Sequence, residues 1–299
     1  MTGKLYIVAT PIGNLEDITL RALRVLRECG LIACEDTRQT RKLLEHFGIA
    51  TPAVSYHDHN EAARAAELVA KIEAGVSVAL VSDAGTPLVS DPGYRLVRAA
   101  IDAAIPVIPI PGASAALGAL SAAGLPSDAF RFCGFLPPKS SQRRRVLEEW
   151  KNETGTLIFY ETPHRILDAL DDIAAVMGSR PVALARELTK IHEEFLRGTA
   201  SEIRATLADR PSVKGEFTLL IGKTLYKKAL DDKAADKKAP VHLQGDASTE
   251  ADAEESEISL QDAVRAAEKE GLSRMDAIKR VARERGLGKR DVYRLVDGG

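Results

Sequence analysis

The chain of 299 residues has three cysteines, Cys29, Cys34 and Cys133, and they form neither a disulfide framework nor a paired zinc-ligand pattern. Reduced thiols in a cytoplasmic protein are the simpler expectation. No apolar run approaches the length of a membrane span, so no membrane partner is expected. The N-terminus enters a strand directly, without a basic segment followed by an apolar one, so no secretory leader is expected. An excess of one charge is also missing: the formal net charge is −2, and any nucleic-acid surface must be local. The common nucleotide fingerprints are absent as well. Thr10-Pro11-Ile12-Gly13-Asn14 is not a G-x-G-x-x-G turn and lacks the Lys-Ser/Thr of a P-loop, so classical dinucleotide and NTP binding are poorly supported.

What is present is an alternation of short apolar runs and amphipathic stretches. Strands are expected at residues 5–9, 31–34, 53–56, 76–81 and 105–110, with helices at 15–29, 37–46, 62–73, 93–104 and 114–123. That alternation implies a mostly parallel, doubly covered sheet in an N-terminal α/β domain, residues 1–125. From Phe130 onward strands outnumber helices, which suggests a mixed sheet in an α+β domain, residues 126–228. Residues 231–257 carry nine acidic residues against three lysines and read as part of an acidic linker, 229–257. The final segment, 258–299, is basic, with ten Lys/Arg against seven Asp/Glu, and its three helical stretches fit a helix-turn-helix-like module.

Three strand-to-loop junctions carry the chemistry. Ser82-Asp83-Ala84-Gly85-Thr86-Pro87 follows the run ending at Val81, and it places a carboxylate and a glycine at the carboxyl end of a sheet strand. Gly85 lets the backbone approach a ligand closely. Thr10 to Asn14 and Pro111-Gly112-Ala113-Ser114 are similar junctions, and Ser114 caps the next helix. Each alone reads as an ordinary turn; three in sequence suggest a small-molecule cleft.

These loops, together with Cys34-Glu35-Asp36-Thr37-Arg38, Phe159-Tyr160-Glu161-Thr162-Pro163-His164-Arg165, Ala185-Arg186-Glu187-Leu188-Thr189-Lys190 and Lys214-Gly215-Glu216-Phe217-Thr218, resemble the tetrapyrrole methylase superfamily. Within it they are most similar to the bacterial branch that methylates 16S ribosomal RNA on a cytidine ribose. The resemblance covers roughly residues 4–223, and the helical tail also resembles that branch. It implies two α/β domains of the tetrapyrrole methylase type with the cofactor cleft between them, plus the small C-terminal helical module, usually within a homodimer. It implies S-adenosylmethionine as cofactor and 2′-O methylation of a cytidine in the decoding region of 16S rRNA in the small ribosomal subunit. Cofactor contacts are expected at Pro11, Asp83, Gly85, Thr86, Ala113 and Ser114, and on the other wall at Tyr160 or Glu161, Leu188 and Glu216.

A ribose hydroxyl is a weak nucleophile, so a base that removes its proton is of use. Glu35 and His57 head a short list that also contains Asp36, Asp58 and Glu187. His57-x-His59 has no third ligand at a helpful distance, and no metal is expected. The cluster Lys139 to Arg145 puts positive charge at a helix start, against the macrodipole, which favours phosphate contact for Lys139, Arg143, Arg144 and Arg145. Arg38 and Arg165 extend this surface, and Lys279, Arg283, Lys289 and Arg290 of the tail form a second grip on RNA. Two other readings are a tetrapyrrole methyltransferase and a non-catalytic RNA-binding or ribosome assembly factor. The basic cluster and tail argue against the first, and the intact loops at Pro11, Asp83 and Ser114 against the second.

Overall fold

Five short strands form the first sheet of this computed structural model, which describes residues 2–224, 260–269 and 272–284. They are β1 (Leu5–Val8), β2 (Leu31–Cys34), β3 (Ala53–Ser55), β4 (Val78–Val81) and β5 (Val107–Ile110), all parallel, in the order β3-β2-β4-β1-β5. Every residue of β2 and β4 is buried. That is what a parallel strand with helices on both faces requires, and it explains why both read as continuous apolar runs. On one face α3 (Glu61–Glu73) and α4 (Tyr94–Asp102) enclose Leu5, Leu68, Leu80 and Leu96; on the other α1 (Leu20–Glu28) and α2 (Thr37–His46) enclose Val8, Leu26, Ile32 and Leu44. β1 lies between β4 and β5, with Leu5 in register with both Val78 and Val107. The three loops singled out in the sequence therefore leave the sheet side by side at its carboxyl edge, where open α/β sheets bind ligands.

The expected helix over residues 15–29 is broken in two. Leu15–Asp17 is a 3-10 turn, and α1 starts only after Thr19, whose hydroxyl accepts from the Ala22 N–H at 3.0 Å. Thr19 is extended at ψ 149°, because a threonine that caps one helix cannot continue another.

The second sheet runs β6-β7-β10-β8-β9, from β6 (Phe130–Phe135), β7 (Thr156–Glu161), β8 (Pro181–Arg186), β9 (Glu194–Thr199) and β10 (Phe217–Ile221). Only β6 and β7 pair in parallel, so the sheet is mixed, as the higher ratio of strands to helices suggested. One face is covered by α6 (Ser140–Glu149), α7 (Ile166–Met177) and α8 (Ala200–Ala208), around Leu147, Phe159, Leu170 and Leu219. The opposite face is covered by α5 (Ala115–Ala123), whose Ala116, Ala119, Leu120 and Ala123 pack on Ile158, Ala183, Ala185 and Leu220. A domain boundary at residue 125 thus separates α5 from the sheet it covers. Its small alanine side chains let a helix that follows β5 lie close against the second sheet.

Both sheets belong to one compact unit, Met1–Ala239. The second unit, Pro240–Gly299, contains α9 (Leu260–Lys269) and α10 (Arg274–Glu284), which bury Val264, Ala277, Ile278 and Val281 against one another. The expected linker at 229–257, the third tail helix at 288–296, and the expected RNA contacts Lys289 and Arg290 lie outside the described residues. No helix among the described residues is long and apolar enough to cross a membrane.

Candidate active site

The β1, β4 and β5 loops are tied to one another by backbone and hydroxyl hydrogen bonds. Thr10 N–H donates to the Gly85 carbonyl at 2.8 Å and Gly85 N–H to the Thr10 carbonyl at 3.1 Å. The Thr10 hydroxyl donates to the Ser82 carbonyl at 3.1 Å, and the Thr86 hydroxyl to the Ala113 carbonyl at 3.3 Å. Gly85 has φ +80°, and an added Cβ would lie 3.3 Å from Ile12 Cγ2. A side chain there is both conformationally strained and crowded.

Two hollows open beneath these loops, between the first sheet and the second. The first, about 400 Å³, is lined by Gly85, Thr86, Asp91 and Ser114 from one side and by Tyr160, Glu161, Glu216 and Phe217 from the other. The second, also about 400 Å³, is lined by Pro11, Gly13, Ser82 and Asp83, with Lys190 and Glu216 opposite. Ile12, Ala84 and Glu216 border both. The two sides approach closely at Gly13: an added Cβ would lie 2.5 Å from Lys190 Cγ, 2.9 Å from Thr189 Oγ1 and 3.1 Å from the Leu188 carbonyl oxygen. Facing Gly13, Lys190 Nζ bridges the carboxylates of Glu187 at 2.9 Å and Glu216 at 3.1 Å. Glu187 also accepts from the Glu216 N–H at 2.9 Å, and its carboxyl is held below the usual range by that bond, with help from Lys190.

The residues expected to hold a cofactor fall around both hollows. Gly85, Thr86, Ser114 and Tyr160 border the first, Pro11 and Asp83 the second, and Glu216 both. Ala113 contributes its carbonyl to Thr86, and Leu188 packs with Tyr160 against α5 beside the Gly13 contact. Asp83 accepts from the Asp36 N–H at 3.1 Å, and its carboxyl is raised by partial desolvation and by the Asp36 charge.

Glu35 and His57 border neither hollow. Burial raises the Glu35 carboxyl, and the charges of Asp91, Asp83, Asp58 and Asp36 add to the effect. Asp36 is a structural residue: it caps α2 and binds Arg38 at 2.7 Å, which brings its carboxyl down to about 2. His57 places Nε2 3.2 Å from Asn60 Nδ2, while its buried Nδ1 has no hydrogen-bond partner.

The basic cluster divides by burial. Arg143 is only 2 % exposed. Its guanidinium binds Asp172 at 2.6 Å and the carbonyls of Pro137 and Pro138 at 3.3 Å. The expectation of a phosphate contact at Arg143 is therefore wrong, since a buried guanidinium with its donors engaged has none to offer RNA. Arg165 is likewise engaged, with the Leu136 carbonyl and, at 3.2 Å, with Glu161. Arg144 shares Asp172 but stays half exposed, and Lys139 and Arg145 face solvent. Arg38 is exposed beside Asp36, and Lys279 and Arg283 are exposed on α10.

Asp91 was not among the expected site residues, although it lines the first hollow, where Tyr160 and Glu161, expected as alternatives, both occur. For Asp91 the signal is the turn Ser90-Asp91-Pro92-Gly93 directly after the Ser82–Pro87 loop. Glu161 sits at the carboxyl end of β7, where a charged residue closes an otherwise apolar strand.

Two α/β halves that join their loops around a divided cleft, without a dinucleotide or P-loop fingerprint, define a class of enzyme that grips a small cofactor between domains. The chain belongs to the tetrapyrrole (corrin/porphyrin) methylase family, whose model matches residues 4–204. It is 48 % identical over 98 % of its length to a Halalkalibacterium halodurans protein named ribosomal RNA small subunit methyltransferase I, covering 94 % of that protein. An Escherichia coli O157:H7 protein of the same name is 56 % identical over 73 % of this chain and 77 % of its own. Among solved structures, a uroporphyrin-III C-methyltransferase from Thermus thermophilus matches at 25 % identity and a TM-score of 0.50, covering 76 % of this chain and 98 % of that one. A diphthine synthase matches in fold at 16 % identity and a TM-score of 0.58, covering 77 % and 94 %.

Proposed function

We propose that this protein transfers a methyl group to the ribose 2′-oxygen of a cytidine in the decoding region of small-subunit ribosomal RNA. The methyl donor is S-adenosylmethionine, which supplies an electrophilic methyl on a sulfonium centre when bound. The observation that carries the reading is the cleft at the joined carboxyl ends of β1, β4 and β5, closed from the second sheet by Tyr160 and Glu216, in a chain whose full-length relatives carry the ribosomal RNA name.

The residues present fit the cofactor. Gly85 and Ala84 leave room for a ligand against the backbone, and the hydroxyls of Thr86 and Ser114 offer hydrogen bonds. Asp83 brings a carboxylate toward a molecule that carries both an ammonium and a sulfonium charge. A hollow of about 400 Å³ falls within the usual size of small-molecule sites, about 300–1,000 Å³. In this reading Pro11, Asp83, Gly85, Thr86, Ala113 and Ser114 hold the cofactor from the first sheet, and Tyr160, Leu188 and Glu216 from the second.

The protein's contribution to rate is mainly positioning, because holding the hydroxyl in line with the methyl carbon removes much of the entropic barrier. Lys139 at the N-cap of α6, Arg144 and Arg145 on α6, Arg38 in the first turn of α2, and Lys279 and Arg283 on α10 offer exposed positive charge for phosphates. The reading includes a homodimer acting in the cytoplasm.

The test is transfer of tritium from labelled S-adenosylmethionine to small ribosomal subunits taken from cells without the enzyme, with uroporphyrinogen as the competing acceptor. Label in the RNA supports the reading. Label in the tetrapyrrole, or in neither despite cofactor binding, rejects it.

A further inference from the structure

Three carboxylates line the first hollow, and two of them are committed to neighbours. Glu161 accepts from the Thr162 N–H at 2.8 Å and pairs with Arg165 at 3.2 Å. Glu216 pairs with Lys190 at 3.1 Å. Asp91 has no cationic partner among the described residues. The groups that face it are the Ser82 hydroxyl, which bonds to it, the carboxylates of Asp83, Asp58 and Glu35, and the Tyr160 phenol from the second sheet.

Asp91 is also held in place by an unusual piece of backbone. Leu88 and Ser90 adopt φ +72° and +68°, rare for residues with side chains, and Gly93 adopts φ +143°. An added Cβ at Gly93 would lie 2.9 Å from Leu80 Cδ2 on β4, so the loop is packed directly onto the sheet. Ser90 Oγ lies 3.6 Å from where a Cβ on Gly134 would stand, beside the register shift of β6. The loop therefore spans the joint between the two sheets and carries Asp91 into the hollow.

We propose that Asp91 is the general base of the methyl transfer, an assignment that rests on the ribose hydroxyl being the acceptor. A lone pair of the 2′-oxygen forms the new O–C bond to the methyl carbon. The C–S bond breaks with its pair returning to sulfur, which becomes a neutral thioether, and the hydroxyl proton passes to an Asp91 carboxylate oxygen. Burial, with the Asp83 and Asp58 charges, makes the carboxyl more basic than usual against the opposing Ser82 hydrogen bond, which favours proton acceptance. Glu161, although burial raises its carboxyl too, is engaged by Arg165 and the Thr162 N–H, and Glu216 is engaged by Lys190, so neither presents an uncommitted carboxylate to the hollow.

The test compares wild type with Asp91→Asn and Asp91→Glu in single-turnover methyl transfer to small subunits across pH. Affinity for S-adenosylmethionine is measured by calorimetry and affinity for the subunit by filter binding. Asp91→Asn is expected to lower the rate by about 10²–10⁴-fold. Both affinities are expected to stay within about twofold. The rising limb of the wild-type rate against pH is expected to vanish in Asp91→Asn, and Asp91→Glu to restore part of the rate. A wild-type rate in Asp91→Asn, or a drop in cofactor affinity that accounts for the slower rate, overturns the assignment. If wild type binds the cofactor but leaves the ribose unmethylated, the proposed acceptor is wrong and the role of Asp91 falls with it.

Discussion

Single residues divide here into those that hold the cleft open to a ligand and those that hold the protein together. Asp172 belongs to the second kind. Burial pushes its carboxyl up, but hydrogen bonds from Arg144, Ser140 and Arg143, with the Arg143 charge, outweigh that and leave it below the ordinary value. Asp172→Ala removes the carboxylate from a buried guanidinium and is expected to cost about 3–5 kcal/mol in urea unfolding. Because the folded value is lowered, the stabilisation is present above the unfolded carboxyl's value of about 3.9 and is lost as pH falls through the folded one. Wild type should thus lose more stability than the variant on acidification, and identical acid limbs would contradict the assignment. Gly13 belongs to the first kind. Gly13→Ala forces a methyl against the Leu188 carbonyl and Thr189, an overpacking of about 1–3 kcal/mol. It should weaken cofactor affinity by about tenfold or more if that strain separates the sheets; unchanged affinity in calorimetry would show that the contact yields locally. Arg143 shows where single-residue reading fails: three consecutive arginines look alike in sequence, and only the position of Asp172 on a neighbouring helix determines which one turns inward.

At the scale of elements, most of the architecture was legible because its causes are local. Buried parallel strands read as unbroken apolar runs, and Asp36 and Ser114 mark helix starts by capping them. The helix assumed from Leu15 missed the competing cap at Thr19, whose signal is weak inside a leucine-rich stretch. The placement of α5 could not be read from its sequence, because a helix that is apolar nearly all round does not reveal which sheet it covers. The strained loop from Thr86 to Gly93 escaped for a related reason: Leu88 and Ser90 are not residues that advertise left-handed backbone. Gly93→Ala should be costly, since φ +143° and the Leu80 contact both oppose a Cβ. A destabilisation of about 1–3 kcal/mol is expected, read as a lower melting temperature. Unaltered stability would mean that the loop has another conformation of similar energy.

For the whole molecule, the described residues that line both hollows all belong to the first compact unit, Met1–Ala239, whereas basic side chains occur in both units. Removing residues 240–299 should therefore leave S-adenosylmethionine affinity intact and weaken binding to small ribosomal subunits. The salt dependence of that binding should become shallower, because fewer phosphates are neutralised and fewer counterions released. Equal subunit affinity in the truncated protein would assign recognition wholly to the first unit. The position of the candidate site was legible from three loops and a family resemblance; its division into two hollows was not. That division depends on how the second sheet's Tyr160, Lys190 and Glu216 meet loops that are remote from them in sequence. The most direct test of the central claim is nucleoside analysis of small-subunit RNA methylated by the purified protein, digested completely and resolved by mass spectrometry. The account predicts a single new 2′-O-methylcytidine from the decoding region. Methylation on a base, or on the ribose of another nucleoside, would contradict it.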